Sequence, residues 1–276
     1  SDATWALAGV WKLGSPISKR AMLKWGGDLL ILTYDGLMPM AQSLQSSRLD
    51  PRVALSNKIQ GAITAATTAY GGTHASVGWQ VYYNAKRTAV WINVPVADGS
   101  QQQQYCMNTI TKSWCQFTGW EANVWEDYGD DPYFGGNGFV GKAWDDSYAD
   151  NSVNISANAL QAFNYLGSRG VKKYFTRARP SIFTNGTPAI SVGINVDFDV
   201  QNNAAPLAFS PSSVGLWDVG TWDVSNWGAG LQITNNWQGI TGLGYCGAIL
   251  LTSASSGLEI EWASTDVVYQ TGWAGI

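Results

Sequence analysis

Pairs of carboxylates are the pattern in this sequence with the clearest catalytic chemistry. Glycoside hydrolases use two carboxylates held roughly 5–9 Å apart, one as an acid and one as a base or nucleophile. Alternate residues of a strand share one face, so Asp197 with Asp199, and Glu259 with Glu261, are each predicted to be aligned. We interpret all four as a solvated or channel-facing acidic surface, with a catalytic pair as the alternative.

Three tryptophans at a spacing of five residues form a second pattern: Trp217, Trp222 and Trp227. Sugars stack on exposed aromatic faces, so this run is a candidate glycan-binding surface. Large aromatic side chains also dominate cores and interfaces, and we expect these three to pack a loop, a sheet edge or a subunit interface. Asp218 and Asp223 follow two of them, but five residues of loop do not fix the distance between two carboxylates.

Basic residues are concentrated in one short stretch, which contains Arg169, Lys172, Lys173, Arg177 and Arg179. The chain up to that point holds all 16 bases and 13 acids, a net charge of +3, and the rest holds seven acids and no base. The cluster is predicted to contact phosphates or an acidic partner, or to be a plain solvated patch. Complementary charge on two parts of one chain fits a head-to-tail ring of copies.

The sequence contains no established catalytic or metal-binding motif beside these residues. His74 is the only histidine, and no Gly-x-Ser-x-Gly motif is present to build a Ser-His-Asp triad. One histidine and three cysteines without Cys-x-x-Cys spacing do not support a zinc site. Cys106 and Cys115 could face each other across a hairpin, but we expect buried free thiols. The sequence therefore predicts a protein that is not an enzyme and needs no metal or cofactor.

The composition excludes several classes of protein. Hydrophobic residues make up 45% and charged residues 13%, which argues against intrinsic disorder and against a coiled coil. A base-free C-terminal segment repels a polyanion, so sequence-specific nucleic-acid binding is not expected there. No apolar run is long enough for a membrane helix, and we recognise no signal peptide or membrane anchor. The chain opens with Ser1 rather than Met, so we expect a trimmed chain or part of a longer protein.

The elements that position these residues are predicted to be strands. A count of 31 Gly, 15 Trp and 12 Tyr is typical of a turn-rich β protein. Residues 27–38 align without gaps with residues 129–140, and both copies contain an Asp-Gly or Asn-Gly hairpin turn. Units of about 40–50 residues with several strands are typical of β-propeller blades. Residues 79–118, between the two copies, look like a third unit of this length. Three units cannot close a propeller, which usually has four to eight blades. Missing N-terminal sequence or other chains must therefore supply the remaining blades.

The predicted fold is mainly β and has two parts. Residues 1–150 are expected to form partial β-propeller-like blades, with a helical insertion at about residues 47–70. Residues 151–276 are expected to form a β-sandwich-like assembly domain, because residues 189–200, 245–253 and 258–262 alternate between apolar and polar residues.

Six segments carry a family resemblance: residues 50–55 (DPRVAL), 105–120 (YCMNTITKSWCQFTGW), 133–138 (YFGGNG), 163–169 (FNYLGSR), 216–219 (LWDV) and 237–245 (WQGITGLGY). They resemble the C-terminal half of a virion structural protein of tailed phages, in the tail hub or nozzle class of short-tailed phages. The resemblance spans nearly the whole chain, but the blades expected before residue 1 are absent.

This resemblance implies a location in the virion, in the phage tail. It implies copies of the chain in a ring below the portal and adaptor, which contact other tail proteins and continue the DNA channel. DNA would pass during ejection without specific binding, and a base-free lining suits passage because Lys and Arg contacts to phosphates slow it. It implies no catalytic residue. The alternatives are a carbohydrate-binding, receptor-binding tail module and a glycoside hydrolase.

Overall fold

The computed structural model describes residues 10, 14–45, 51–71, 78–96, 102–207 and 231–272. The fold is mainly β, as predicted, with 52% of residues in strands and 10% in helices. The chain divides into two compact units, Ser1–Asp145 and Asp146–Ile276. Its sheets are antiparallel, and none of those in the described part of the chain closes on itself.

Three meanders build the first unit, and in each of them strands that are adjacent in sequence are also neighbours in the sheet. The first contains β1 (Met22–Trp25), β2 (Asp28–Thr33) and β3 (Gly36–Pro39). The second contains β4 (Gln80–Asn84), β5 (Ala89–Val94), β6 (Gln103–Asn108) and β7 (Trp114–Thr118). The third contains β8 (Val124–Tyr128), β9 (Asp131–Gly135) and β10 (Val140–Lys142). Propeller blades are four-stranded and only the second meander has four strands, so the propeller-like arrangement of residues 1–150 stays a prediction.

Both copies of the internal repeat are hairpins, β2–β3 and β9–β10. Gly36, the first residue of β3, and Gly138, in the loop between β9 and β10, have φ values of +116° and +84°. Such angles are open to glycine and strained for other residues. The repeat therefore reflects a reversal of the chain that uses a glycine of positive φ twice, after two connecting residues at 34–35 and within four at 136–139.

The helical segment is shorter and more broken than the sequence predicted. It consists of α1 (Met40–Gln45), single 3-10 turns at Pro51–Val53 and Asn57–Ile59, and α2 (Gln60–Tyr70). Pro51 lacks a backbone N–H, so it cannot donate the hydrogen bond that would extend a helix from the residues before it. Oγ of Ser56 accepts a hydrogen bond from the backbone N–H of Leu37, in β3, at 3.0 Å. This contact with β3 fixes the backbone before α2.

The centre of the second meander is buried on both faces, whereas its last strand, β7, is only partly covered. One face packs on residues of β2 and α2 such as Leu30 and Ile63, and the other packs on the third meander through Trp91 and Trp125. All six residues of β5 are buried. A strand covered on both faces reads as a continuous apolar run rather than an alternating one. Full burial of one large apolar side chain contributes about 1.5–3 kcal/mol.

A buried amide network joins the second and third meanders. The Nδ2 of Asn93 donates to the carbonyls of Gly78 at 2.6 Å and Ala122 at 2.8 Å. Its Oδ1 accepts from Nε2 of Gln104 at 2.8 Å and from Nε1 of Trp125 at 3.0 Å. Asn93 and Gln104 are both fully buried. Buried amides are stable only when hydrogen-bonded, so these contacts fix how the two sheets pack.

Asp131, at the start of β9, is held by two lysines. Nζ of Lys142 lies 2.6 Å from its Oδ2, and Nζ of Lys86 lies 2.5 Å from its Oδ1. Hydrogen bonds from Lys142 and then Lys86 lower the pKa of Asp131 from 3.8 to about 2. Lys86 follows β4, so this carboxylate links the second meander to the third.

The depressed pKa makes this stabilisation depend on pH. A carboxyl whose pKa is lower when folded contributes stability above its unfolded pKa of 3.8 and loses it as the pH falls through about 2. Asp131→Asn should therefore flatten the decline in melting temperature between about pH 4 and pH 2, and lower stability slightly at neutral pH. Thermal unfolding across this range measures it. Asp130→Asn, at the exposed neighbouring residue, is the matched control, and an unchanged acid slope in Asp131→Asn would contradict the assignment.

The second unit is a sandwich of two sheets, as predicted for this region. Its strands are β11 (Ile155–Leu160), β12 (Lys173–Thr184), β13 (Ile190–Val196), β14 (Ala205–Pro206), β15 (Gln232–Thr234), β16 (Gln238–Gly244), β17 (Gly247–Ser255) and β18 (Ile260–Thr271). One sheet has the order β11-β17-β13-β14. In the other, β12 pairs with β18 along one side and with β16 and β15 along the other. Apolar residues of both sheets, such as Phe175, Ile182, Ile194 and Leu251, share one core.

Candidate functional site

The basic cluster predicted at residues 169–179 does not form one solvent-facing patch. Lys173 is fully buried, and its Nζ donates to the carbonyls of Ser168, Val171 and Tyr245 at 2.5, 3.0 and 3.0 Å. An ammonium group has three donors, and all of them are used here. Lys173 is therefore a packing residue, and the prediction that it lies in a surface patch or contacts a partner is corrected.

Arg179 already has an acidic partner within its own chain. It lies on β12 opposite Asp266 of β18, and its Nη2 and Nε lie 2.6 and 3.0 Å from Oδ2 of that residue. Its guanidinium also lies over the ring of Trp237, 4.9 Å from the centroid. The sequence suggested that the basic and acidic regions meet between neighbouring copies, but this pair meets inside one copy.

The remaining three basic residues of the cluster are exposed. The guanidinium of Arg169 lies 5.0 Å from the ring centroid of Tyr165, and Nζ of Lys172 lies 5.7 Å from that of Tyr245. Arg177 is exposed on β12. Exposed cation–π contacts contribute only about 0.5–1 kcal/mol, so these side chains are free to contact a partner at small cost.

The carboxylate pairs are not aligned as predicted. β13 ends at Val196, and Asp197 and Phe198 have left-handed φ values of +50° and +64°. Asp197 and Asp199 therefore lie in a turn rather than on one face of a strand. Oδ1 of Asp197 accepts from the backbone N–H of Tyr245 at 2.7 Å and of Cys246 at 3.2 Å, which stabilises the turn between β16 and β17.

The second pair is divided between a loop and a strand. Glu259 precedes β18, and its backbone N–H donates to Oδ1 of Asn185 at 3.0 Å. Glu261 lies within β18 opposite Phe183 and is exposed. Neither carboxylate pair lines the cavity of about 400 Å³ between the two sheets, which is lined by Phe175, Ile194, Ile249, Val267 and six uncharged neighbours. This geometry lends no support to a glycosidase site.

Two predicted features lie outside the described residues. They are the tryptophan run, Trp217, Trp222 and Trp227, and the single histidine, His74. Within the described residues, no group of three or more His, Cys, Asp or Glu side chains is placed to hold a metal ion. A search of that same part of the chain finds no helix with the length and apolar character needed to cross a membrane.

Strand β11 is the feature that sequence reasoning missed. All six of its residues are exposed, including Ile155 and Leu160. In the described part of the chain it pairs only with β17, so the N–H and C=O groups of its other edge face outward. Its sequence, Ile-Ser-Ala-Asn-Ala-Leu, contains no charge and no proline. Soluble proteins usually protect an open edge with lysine, proline or a bulge. The edge of β11 has neither of the two protecting residue types, so it is open to pairing with another strand.

Comparison with known proteins gives no assignment. The sequence matches no protein-family model and shows no significant match to a curated protein. Function is therefore inferred from the residues and their geometry.

Proposed function

We propose that this chain is a structural subunit of a bacteriophage virion, a ring-forming tail hub or nozzle protein that continues the DNA channel below the portal. The observation that carries the proposal is β11, an exposed, uncharged edge strand of six residues. The segments that resemble tail hub and nozzle proteins agree with it.

An open edge of this kind favours assembly with another chain. Each unpaired N–H and C=O along the edge can bond to an incoming strand, as in β-augmentation. Because β11 has no charged side chain, an incoming strand meets no electrostatic penalty. In a ring, the partner strand belongs to a neighbouring copy.

The charge distribution of the second unit suits a protein that DNA passes without binding. Lys173 uses its ammonium group internally, and Arg179 is paired with Asp266. Glu261 and Asp199 are exposed, and the sequence after Arg179 contains no base. Of the five bases in residues 146–276, Arg169, Lys172 and Arg177 remain exposed, against nine acids in the same residues. Acids therefore outnumber the bases left to contact phosphate groups, and weak phosphate contact favours rapid ejection. Portal, adaptor and other tail proteins are the proposed neighbours of the ring.

The test of assembly uses one substitution at two positions. Asn158→Lys places a charge in the middle of β11, and Asn202→Lys makes the same change at an exposed loop residue of the same unit. We expect the wild-type chain and Asn202→Lys to form one symmetric multimer by native mass spectrometry and electron microscopy. Asn158→Lys should weaken subunit association at least about tenfold, or about 1.4 kcal/mol. Equal assembly by the two variants would contradict the role of β11.

The test of the virion assignment is separate. Peptides of this chain should be found in purified particles of the phage or induced prophage whose genome encodes it. Disruption of the gene should give particles that retain packaged heads but do not eject DNA, and plasmid-borne Asn202→Lys should restore plaques where Asn158→Lys does not. Absence of the peptides from purified particles, or full infectivity without the gene, would overturn the proposed function.

A further inference from the structure

Two cysteines of the second meander face each other across adjacent strands. Cys106 of β6 is directly opposite Cys115 of β7 in the strand register. Directly opposite residues of an antiparallel pair share one face, with Cα atoms roughly 4.5–5.5 Å apart. That separation falls within the range of about 4.4–6.8 Å that a disulfide spans. Sγ of Cys115 also lies 3.6 Å from the carbonyl oxygen of Cys106. The two thiols are therefore within bonding reach without a change in backbone pairing.

The two thiols differ in access to solvent. Cys106 is buried in the core shared by the second and third meanders, next to Trp91, its opposite residue on β5. Cys115 is exposed on β7, the last strand of the sheet. The sequence led us to expect both thiols to be buried, and for Cys115 this expectation is wrong. An exposed thiol beside a buried one can react first with a soluble oxidant and then be resolved by its neighbour.

Contact between the thiols also separates their acidities. A hydrogen bond from the Cys106 thiol lowers the pKa of Cys115, whereas that hydrogen bond and burial raise the pKa of Cys106. The exposed sulfur is thus the one that forms a thiolate more readily, and the thiolate is the nucleophilic form.

We infer that Cys106 and Cys115 are a peroxide-responsive thiol pair that forms a reversible disulfide across β6 and β7. The Cys115 thiolate attacks one oxygen of hydrogen peroxide, the O–O bond breaks, and Cys115 becomes a sulfenic acid as hydroxide leaves. The Cys106 thiol then attacks the Cys115 sulfur, the S–O bond breaks, and water leaves. In total, two thiols and one peroxide give one disulfide and two waters. This inference does not depend on the proposed function.

The disulfide would cross-link the edge strand of the meander to its neighbour. In its reduced form β7 is held by its backbone hydrogen bonds with β6 and by the packing of Phe117 and Trp114. A covalent bond at Cys115 removes fraying of this strand as a route to local unfolding. Because Cys115 is exposed, a soluble thiol can reach the bond and reduce it.

The experiment uses the position of Lys112 between the two cysteines. Trypsin separates residues 88–112, which contain Cys106, from residues 113–142, which contain Cys115. After treatment of the folded full chain with stoichiometric hydrogen peroxide and alkylation of free thiols, a non-reducing digest should contain these two peptides joined. The number of alkylated thiols should fall from three to one, and dithiothreitol should restore all three.

Two variants serve as controls. Cys246→Ser removes the other buried cysteine and should leave the joined peptides unchanged. Cys115→Ser, at an exposed position that folding should tolerate, should abolish them and leave the remaining two thiols unreacted. Separate peptides in the wild-type digest would overturn the inference, whether Cys115 is unmodified, over-oxidised to sulfinic acid or linked to another molecule.

Discussion

Replacing Trp125 by alanine should lower the free energy of unfolding of the first unit by about 3–5 kcal/mol. The indole is fully buried in the core between the second and third meanders, where its ring centroid lies 5.0 Å from that of Trp91 and 5.1 Å from that of Phe134. Removing it leaves a large cavity and takes away the Nε1–H that Asn93 accepts. Chemical denaturation, followed by circular dichroism, measures the loss. An unfolding free energy within about 1 kcal/mol of wild type would show that this core does not hold the unit together.

A matched pair of milder changes separates packing from hydrogen bonding. Trp91 is also fully buried, but its Nε1 has no acceptor among the described residues. Trp91→Phe and Trp125→Phe remove the same atoms, yet only the second leaves Oδ1 of Asn93 with one donor fewer. We expect Trp125→Phe to cost about 1–2 kcal/mol more than Trp91→Phe. Equal costs would mean that the Asn93 network adds no stability.

Replacing Lys173 by alanine should cost the second unit a similar amount, about 3–5 kcal/mol. The change removes the buried stem of the side chain and leaves three carbonyl oxygens without their charged donor. Unsatisfied buried polar groups cost about 1–3 kcal/mol each, and partial relaxation reduces the sum. Unfolding monitored by a probe within residues 146–276 reports the loss.

Two methionine variants test whether the ammonium group of Lys173 stabilises the second unit. Lys173→Met keeps most of the buried stem and removes only the donors, so we expect it to retain a cost of about 2–3 kcal/mol. The same change at the exposed neighbour, Lys172→Met, removes only the cation–π contact with Tyr245 and should cost at most about 1 kcal/mol. If Lys173→Met matches or exceeds wild-type stability, then the apolar stem, and not the three hydrogen bonds, explains the burial of this lysine.

Features that depend on local chemistry were predictable from the sequence. The hairpins of the internal repeat follow from Asp35-Gly36 and Asn137-Gly138, because a tight turn needs residues that accept a positive φ. The sandwich strands follow from alternation in residues 189–200, although β13 ends four residues earlier than that pattern suggests. It ends there because Asp197 turns the chain to bond with the β16–β17 turn, a contact between residues about 50 positions apart.

Features that depend on distant contacts were not predictable. Lys173 lies in a run of basic residues and resembles a surface lysine in sequence, and its burial arises only when Tyr245 is brought beside it. Helix α2 lies within the predicted residues 47–70 but begins only at Gln60, because Ser56 bonds to β3 rather than to its own helix. β11 was missed because alanine and asparagine are disfavoured in strands, and pairing with β17 overrides that preference.

The burial of β5, in the second meander, on both faces has a consequence for synthesis on the ribosome. Its Trp91 face is covered by residues of the third meander, which ends at Lys142 and is translated last in the first unit. At roughly 5–20 residues per second, a nascent chain presents that aromatic face uncovered for a few seconds after β7 has been made. The interval favours recruitment of a chaperone such as a holdase, and rare codons between β7 and β10 would lengthen it.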